Sequence, residues 1–158
     1  AGNIGKAQNL STILEASKIL YSLKLSINFI IIGEGIEKDK LIKLKEKNNL
    51  NNVIFLPAVP MNEVGSILSS ADCLILHLKD DPLFRITIPS KLQAYMAIGK
   101  PILIGVQGDA ANLVEISQSG IPFIPDDPNS LVSAAIEMFE MSTKQLNNFS
   151  QNAKYFDS

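Results

Sequence analysis

The chain is 158 residues long, which is enough for one domain with a substantial core and too short for two. Hydrophobic residues make up 46% of it and aromatic residues only 6%, so the apolar side chains are mainly aliphatic and suit buried parallel strands and packed helices. The formal net charge is −2 and the lysines are scattered, which argues against a nucleic-acid-binding surface.

Cysteine usage and hydropathy exclude two further classes of protein. Cys73 is the only cysteine, so a disulfide framework is excluded and a reducing compartment is expected. The longest apolar run, residues 29–32, is far shorter than the ~20 residues that a membrane-spanning helix needs. The sequence opens on a glycine-rich loop without the pattern of a signal peptide. We therefore expect a cytoplasmic location, with membrane association left open for the intact protein.

Two kinds of segment alternate along the chain. Five strand-like apolar runs span residues 27–32, 53–56, 73–76, 101–104 and 121–124. Amphipathic helical patterns cover residues 8–23, 36–47, 61–70, 90–98, 110–119, 129–141 and 143–156. Strict alternation of this kind predicts an α/β fold, in which helices flank a Rossmann-like parallel sheet with right-handed crossovers.

The first loop indicates that one strand is largely absent from this chain. Gly2-Asn3-Ile4-Gly5 leads into a helix, and such a loop normally follows a strand, whereas only Ala1 precedes it. We expect that the chain begins just after the first, central strand of its sheet. It would then be part of a longer protein.

The topology predicts where a ligand should bind. If the absent strand is counted first, the strands that begin near residues 27, 53, 73, 101 and 121 are the second to sixth. In the doubly wound order 3-2-1-4-5-6, ligands bind at the carboxyl ends of the first and fourth strands, where the order reverses. The loops concerned are Gly2–Gln8 and His77–Pro89, and the second of them is the longest loop expected in the protein.

Both loops end at the start of a helix, where free N–H groups and a partial positive charge favour phosphate. Lys6 and Lys91 would add full charges, and Thr87 and Ser90 would add hydroxyl donors. The alternative is ordinary capping, with Ser90 as the cap, Pro89 at the helix start and Lys6 solvated. Because two such loops converge at the switch point, we favour a diphosphate site.

The spacing of glycines in the first loop disfavours NAD. The dinucleotide fingerprint needs Gly-x-Gly-x-x-Gly, whereas here Gly2 and Gly5 are separated by two residues, and a Walker loop is also absent. Glu34, just past the second strand, could bind a ribose. Because it stands between Gly33 and Gly35, it is equally well explained as a turn residue.

Three segments carry a family resemblance: the glycine-rich loop at residues 2–8, the Ile-Ile-Gly-Glu-Gly sequence at 31–35, and residues 88–102. Together they resemble the donor-binding, C-terminal half of retaining group 1 glycosyltransferases with the GT-B fold, which use nucleotide-diphosphate sugars. The opening of the third segment, Ile-Pro-Ser-Lys, is similar to the subgroup that builds bacterial surface polysaccharide, including acetamido-fucose transferases. Residues 1–158 would then form one nucleotide-sugar-binding domain, with the acceptor-binding domain outside the chain.

The resemblance implies roles for particular residues. In the family, the glycine-rich loop and its basic residue face the donor diphosphate, the loop after the third strand touches the base, and the start of the helix after the fourth strand holds phosphate through backbone N–H groups. The donor-binding residues implied for this chain are Gly5, Lys6, Pro57, Val59, Thr87, Ile88, Pro89, Ser90 and Lys91.

One departure from the family concerns the ribose. Most members carry two glutamates eight positions apart, the second of which binds the ribose. Alignment on Gly99-Lys100-Pro101 places Ile86 and Ala94 at these positions, and neither can perform that task. Gln93 and Ser90 are the nearest polar candidates.

Other polar residues near the expected cleft have open roles. His77 could contact a sugar or phosphate, but no positioned partner for catalysis is visible in the sequence. Asp80-Asp81 could suggest a metal, although a solvated loop is the better interpretation, as a surface position is for Glu115. The last helix, with Phe149, Tyr155 and Phe156, is expected to have an apolar face that is exposed or finds another partner.

The resemblance predicts an enzyme when the protein is intact: a glycosyltransferase that moves a hexosyl or N-acetyl-aminosugar residue from a nucleotide-diphosphate sugar, with UDP as the favoured carrier. No cofactor or metal is expected. The acceptor, a glycan or a lipid-linked sugar, would bind the other domain, so this chain alone would be inactive. The alternative is a noncatalytic nucleotide-binding α/β module.

Overall fold

The structure, a computed structural model, describes residues 1–157 of the chain. Within that range, five strands alternate with eight α-helices. The strands are β1 (Phe29–Ile32), β2 (Val53–Leu56), β3 (Leu74–His77), β4 (Ile102–Gly105) and β5 (Gly120–Pro122). The helices are α1 (Ser11–Ser22), α2 (Lys38–Lys47), α3 (Met61–Ser69), α4 (Pro82–Arg85), α5 (Ser90–Ile98), α6 (Asp109–Ser117), α7 (Pro128–Phe139) and α8 (Thr143–Asp157). The predicted α/β class and all five predicted strands are confirmed.

The strands form two parallel sheets, β1–β2 and β3–β4–β5. Phe29 lies opposite Val53 in the first sheet, and Leu74 lies opposite Ile102 in the second. β4 is central in the larger sheet, and all four of its residues are buried. A parallel strand covered by helices on both faces has no exposed side, which explains why the sequence shows continuous apolar runs rather than alternation.

A gap separates the two sheets. In the described part of the chain, β2 is the only strand that pairs with β1, and β3 pairs with β4 on one side only. Residues 30–32 and 75–77 line a cavity of about 300 Å³ between these edges. The N–H groups of Gly2 and Ile4 donate to the carbonyl oxygens of Ile32 (2.8 Å) and Glu34 (2.9 Å) at the carboxyl end of β1. The sheets therefore do not close on one another.

Two buried clusters fill the space on either face of the larger sheet. Leu103 of β4 joins the first cluster, with Leu14 of α1 and Leu131 of α7. The neighbouring β4 residue Ile104 joins the second cluster, with Leu92 of α5. Successive side chains of a strand point to opposite faces, so β4 links the two clusters and fixes α5 relative to α1.

Two differences from the predicted helices affect the site region. The segment expected as one long loop contains α4, because Asp81 Oδ1 accepts from the N–H of Leu83 at 2.9 Å and Pro82 occupies the first helical position. The first helix begins at Ser11 rather than near residue 8. It starts late because a 3-10 turn over Lys6–Gln8 ends at Asn9, whose φ of 41° is left-handed.

The last helix is docked on the domain. Ala153 is fully buried, and Leu146 and Phe149 are half-buried against the core. Of the two alternatives expected for this face, exposure is therefore wrong for this part of α8, which packs on the domain itself. Gly99 permits the docking, because a β-carbon there would overlap the side chain of Lys154. Tyr155 remains largely exposed. No helix within residues 1–157 is long and apolar enough to cross a membrane.

Candidate functional site

The glycine-rich loop lies directly against the end of β1. A β-carbon on Gly33 would overlap the carbonyl oxygen of Gly2, and one on Gly35 would overlap that of Ile4. Gly33 also has a φ of 146°, which disfavours other residues. The Gly-Glu-Gly sequence after β1 is therefore explained by the close approach of two backbones, which places residues 2–4 beside the carboxyl end of β1.

The next turn of this loop changes the predicted role of Gly5. The N–H of Gly5 donates to Gln8 Oε1 at 3.0 Å, so it is already occupied within the loop. The first amides of a helical turn have no acceptor within it, and here these are the amides of Lys6 and Ala7. The Lys6 side chain is exposed to solvent. Lys6 and Ala7 thus present the free donors of the loop.

The start of α5 corrects the predicted cap. Pro89, with φ −60° and ψ 139°, occupies the capping position, and Ser90 is the first helical residue. Ser90 makes no capping hydrogen bond, and within residues 1–157 its exposed hydroxyl has no partner. The interpretation of Ser90 as a helix cap is therefore wrong. Its hydroxyl is free for a ligand.

Lys91 joins the two predicted loops. A β-carbon on Gly2 would lie 2.8 Å from Lys91 Nζ, so the ammonium group lies against the glycine-rich loop. The side chain is half-buried, and burial lowers its pKa below the ordinary value of 10.5. Among the described residues, no carboxylate forms an ion pair with it. A partly desolvated cation without a counter-ion is favourable for an anionic ligand.

The cavity between the sheets brings only some of the predicted residues together. Pro89, Ser90 and Lys91 line it, beside Gly2 and Asn3 of the glycine-rich loop. Apolar residues of β1 and β3 also line it, together with the polar side chains of Gln8, His77 and Tyr95. The remaining predicted residues, Gly5, Lys6, Pro57, Val59, Thr87 and Ile88, do not line it.

The predicted base-contacting loop after β2 lies beside Glu34. Pro57 is exposed and Val59 half-buried. The Glu34 carboxylate accepts from Lys38 Nζ at 2.8 Å, and this bond, together with the backbone N–H of Ala58, lowers the pKa of Glu34. The contact with Lys38 engages one carboxylate oxygen of Glu34 within the protein, which is consistent with its interpretation as a turn residue.

The loop after β3 uses both of its carboxylates internally. Arg85 Nη2 donates to Asp80 Oδ1 (2.8 Å) and Oδ2 (3.0 Å), and Asp81 caps α4. Thr87 Oγ1 donates to the carbonyl oxygen of Leu83 at 3.3 Å. Asp80 and Asp81 are thus occupied by structural contacts, which favours the solvated-loop interpretation over a metal site.

His77 is buried at the end of β3, and both ring nitrogens have backbone partners. Nδ1 lies 2.7 Å from the carbonyl oxygen of Gln8, and Nε2 accepts from the N–H of Asp126 at 2.9 Å. This arrangement defines a neutral ring with its proton on Nδ1. Burial lowers its pKa, against the opposing effects of the Gln8 carbonyl and the Asp126 carboxylate. The ring also stacks on Phe123, with centroids 5.9 Å apart. Contact with a sugar or phosphate is therefore not available to its nitrogens in this arrangement.

Asp126 and Asn9 were missed by the sequence reasoning. Asp126 Oδ1 accepts from Asn9 Nδ2 at 2.7 Å, and Oδ2 accepts from the N–H of Asp80 at 2.8 Å. Burial raises the pKa of Asp126, but these two hydrogen bonds and the electrostatic effects of His77 and Lys79 outweigh it, so the pKa is lowered. Asn9 and Asp126 both have left-handed backbone, with φ of 41° and 63°. The only available signal was that Asn and Asp tolerate this conformation better than other non-glycine residues.

The positions considered for ribose binding are all accessible. Gln93 and Ala94 are exposed on α5, and Ile86 is 71% exposed beyond α4. Glu115 is exposed on α6, as expected for a surface residue. Burial raises the pKa of the Cys73 thiol to about 12, which disfavours its reactive thiolate form.

These features define a Rossmann-like α/β domain with two loops that converge at the switch point, and the architecture is that of the C-terminal half of a GT-B glycosyltransferase. The profile of the family described as "Glycosyl transferases group 1" matches residues 1–156. The chain therefore belongs to the group 1 glycosyl transferase family.

Solved structures share the fold at low sequence identity. HepE from Anabaena, determined in complex with UDP, superposes with a TM-score of 0.82 at 18% identity, over 99% of this chain and 43% of that chain. The C-terminal domain of the group 1 family protein LpcC from Francisella tularensis gives a TM-score of 0.75 at 18% identity, over 98% of this chain and 80% of that one. Their agreement establishes the fold of residues 1–157.

Two curated bacterial relatives are similar in sequence. The probable glycosyltransferase WbjE of Pseudomonas aeruginosa is 27% identical over 147 residues, which cover 92% of this chain and 36% of the relative. The putative colanic acid biosynthesis glycosyl transferase WcaI of Escherichia coli (strain K12) is 31% identical over 99 residues, which cover 63% of this chain and 24% of the relative. The matched region thus spans about a third of WbjE and about a quarter of WcaI.

Proposed function

We propose that this chain is the donor-binding domain of a glycosyltransferase and that it holds the diphosphate of a nucleotide-diphosphate sugar, with UDP as the carrier. The observation that carries the proposal is the half-buried Lys91, whose ammonium group lies against Gly2 without a carboxylate partner among residues 1–157. Family membership supports the activity, and the HepE complex supports UDP.

Five groups of this chain would hold the diphosphate. Lys91 and Lys6 would supply charge, one from each loop. The free hydroxyl of Ser90 and the first-turn amides of Lys6 and Ala7 would donate hydrogen bonds. Charge-assisted hydrogen bonds of this kind are roughly twice as strong as neutral ones, so the diphosphate would contribute more of the donor affinity than the nucleoside.

The proposed chemistry is departure of the nucleoside diphosphate as the sugar moves to an acceptor. The bond between the anomeric carbon and the diphosphate oxygen breaks, and negative charge accumulates on that oxygen. Lys91 and the loop amides would stabilise this charge more strongly than the ground state, which accelerates the reaction. The acceptor and any general base would lie on a domain outside this chain, so the chain alone would bind the donor weakly without turnover.

The finer features of the proposal come from the resemblance at residues 88–102. We infer a retaining enzyme of bacterial surface-polysaccharide synthesis, of the acetamido-fucose type, which transfers a hexosyl or N-acetyl-aminosugar residue to a glycan or lipid-linked acceptor in the cytoplasm. No cofactor is part of the proposal. The name of the relative WcaI, which refers to colanic acid biosynthesis, supports the polysaccharide context.

Titration calorimetry with UDP, uridine, GDP, ADP and NAD tests the proposal. We expect UDP to bind more tightly than uridine, and Lys91→Met to weaken UDP binding about tenfold, the loss of one charged hydrogen bond, with little change for uridine. Lys100→Met is a matched control, because Lys100 lies just beyond the opposite end of α5. A preference for NAD, or equal UDP affinity in both variants, would contradict the proposal and favour a noncatalytic nucleotide-binding module.

A further inference from the structure

Three separate segments meet at a small polar cluster beside the glycine-rich loop. We call it the Asp126 hub, and it consists of Asn9, His77, Asp80 and Asp126. Asp126 Oδ1 accepts from Asn9 Nδ2 (2.7 Å), and Oδ2 accepts from the N–H of Asp80 (2.8 Å). His77 Nε2 accepts from the N–H of Asp126 (2.9 Å). The hub therefore ties the glycine-rich loop, the loop after β3 and the β5–α7 turn together.

The hub reaches the glycine-rich loop through two further bonds. His77 Nδ1 donates to the carbonyl oxygen of Gln8 at 2.7 Å. The N–H of Lys79, two residues further along, donates to the carbonyl oxygen of Ala7 at 2.8 Å. Two of the three carbonyls of the turn that presents the Lys6 and Ala7 amides, those of Ala7 and Gln8, are therefore held from the side of β3.

The hub residues hold the loop without being available to a ligand. Both ring nitrogens of His77 and both carboxylate oxygens of Asp126 already have protein partners. Asn9 and Asp126 also occupy left-handed backbone conformations, with φ of 41° and 63°, and non-glycine residues adopt this conformation at a cost. The hydrogen bond between their side chains offsets that cost at both positions at once.

We propose that His77 and Asp126 are positioning residues for donor binding, which keep the Lys6–Gln8 turn in the orientation that presents its amides to the diphosphate. The identity of the ligand in this inference rests on the proposed function, whereas the positioning role rests on the geometry of the hub. Loss of the hub should release the turn and lower diphosphate affinity, while the nucleoside, which contacts other parts of the domain, should bind as before.

Asp126→Asn and Asp127→Asn form a matched pair for the test, because the same chemical change is made at adjacent positions. Asn tolerates the left-handed backbone at 126 but replaces one acceptor oxygen with a donor. Asp127 caps α7 by accepting from the N–H of Ser130 (3.1 Å), and Asn caps a helix equally well. Each variant of the 158-residue chain is titrated with UDP and with uridine, and hydrogen exchange of the Lys79 amide is measured without ligand.

We expect Asp126→Asn to weaken UDP binding about tenfold, to leave uridine binding within about twofold, and to accelerate exchange of the Lys79 amide, whereas Asp127→Asn changes none of these. Wild-type UDP affinity in Asp126→Asn, equal losses for UDP and uridine, or unchanged Lys79 exchange would each overturn the proposal. A wild-type chain that does not bind UDP would refute the proposed function and the donor-binding role, and the exchange rates would still decide whether the hub holds the loop.

A second variant keeps the test decisive if Asp126→Asn does not fold. Asn9→Gly removes the hydrogen bond from Asn9 to Asp126, together with the local side-chain bonds of Asn9 to Ser11 and Thr12. Glycine accepts the left-handed backbone without strain. The variant should reproduce the selective loss of UDP affinity and the faster Lys79 exchange. The loss of UDP affinity in the double variant should be smaller than the sum of the two single losses, because Asn9 and Asp126 share one hydrogen bond. Additive losses would contradict the proposed coupling between Asn9 and Asp126.

Discussion

Lys91 Nζ lies close to Gly2, since a β-carbon on Gly2 would be only 2.8 Å from this nitrogen. Gly2 also has a φ of 119°, which other residues rarely adopt. The φ of Gly2 therefore fixes the local path of the glycine-rich loop, and its missing β-carbon leaves room for the ammonium group of Lys91. This relationship yields the first prediction.

Gly2→Ala should displace the ammonium group of Lys91 and strain the loop. We expect a loss of stability of about 1–3 kcal/mol, the cost of an unfavourable backbone conformation. We also expect the variant to lose more affinity for UDP than for uridine, each compared with wild type. Gly65→Ala is the control, because a β-carbon there would meet Ile98 Cδ1 at an ordinary 3.8 Å within α3. That variant should gain roughly 0.5–1 kcal/mol and bind UDP normally. Thermal unfolding and calorimetry on both variants provide the measurement.

Lys6→Ala should weaken UDP binding by roughly 1–3 kcal/mol, the range for loss of a charged hydrogen bond, and should hardly affect uridine. The side chain is exposed, so stability should stay within about 0.5 kcal/mol of wild type. Titration with both ligands measures the difference. Equal losses for UDP and uridine would show that Lys6 supports the loop and does not contact the diphosphate.

Ser90→Ala separates the ligand role from the capping role. Because the hydroxyl makes no capping hydrogen bond, stability should change by less than about 0.5 kcal/mol, instead of the ~1 kcal/mol that loss of a cap costs. UDP affinity should decrease in the same variant. Chemical denaturation and UDP titration measure the two effects, and a stable variant with unchanged affinity would remove Ser90 from the site.

His77 predicts a pH dependence of stability. Burial is the main cause that lowers its pKa below 6.5, so the unfolded chain takes up a proton before the folded one as pH falls. The contribution of the neutral ring is thus fully present above about pH 6.5 and is lost as pH falls through the folded pKa. His77→Gln should remove this part of the profile.

Denaturation of wild type and His77→Gln between neutral pH and about pH 5 measures the effect as a difference. Asp126, whose pKa is lowered from 3.8, titrates at more acidic pH. Parallel profiles for the two proteins would contradict the assignment of a neutral His77.

The gap between the sheets predicts the effect of an added strand. An extension of about ten residues before Ala1 that contains an apolar run should pair with the free edges of β1 and β3 and fill the cavity between them. The melting temperature should then rise by roughly 2–4 °C for each kcal/mol gained in the free energy of unfolding. A Gly/Ser extension of equal length is the control.

Sedimentation of the unextended chain at several concentrations tests whether a second copy covers the edges instead. A monomeric chain that is as stable as the extended one would contradict the strand count.

The strands were predictable because their signal is local. Buried parallel strands are continuous apolar runs, as in Val53–Leu56, and each run is bounded by turn residues. The short helix α4 was not predictable from periodicity, because Pro82–Arg85 is only four residues long. Its one local cue was Asp81 followed by proline, a combination that also occurs in ordinary turns.

The site was predictable as far as helix starts determine it. Ser90 and Lys91 could be placed because a proline before an amphipathic run marks the beginning of a helix. The hub could not be placed, because Asn9 and Asp126 are 117 positions apart and meet only through the tertiary fold. The occupied N–H of Gly5 was missed for a related reason, since it depends on the side-chain conformation of Gln8.

The glycine-rich loop connects the β1–β2 half of the domain to the β3–β5 half, and within residues 1–157 no strand of one half pairs with a strand of the other. Its first residues are bonded to the end of β1, through Gly2 and Ile4, and its last residues are bonded to the β3 side, through Ala7, Gln8 and Asn9. Any sliding of the β1–β2 half against the β3–β5 half must therefore deform this loop. A ligand that stiffens the loop would resist that shear, so occupancy of the site and mechanical rigidity of the whole domain are expected to rise together.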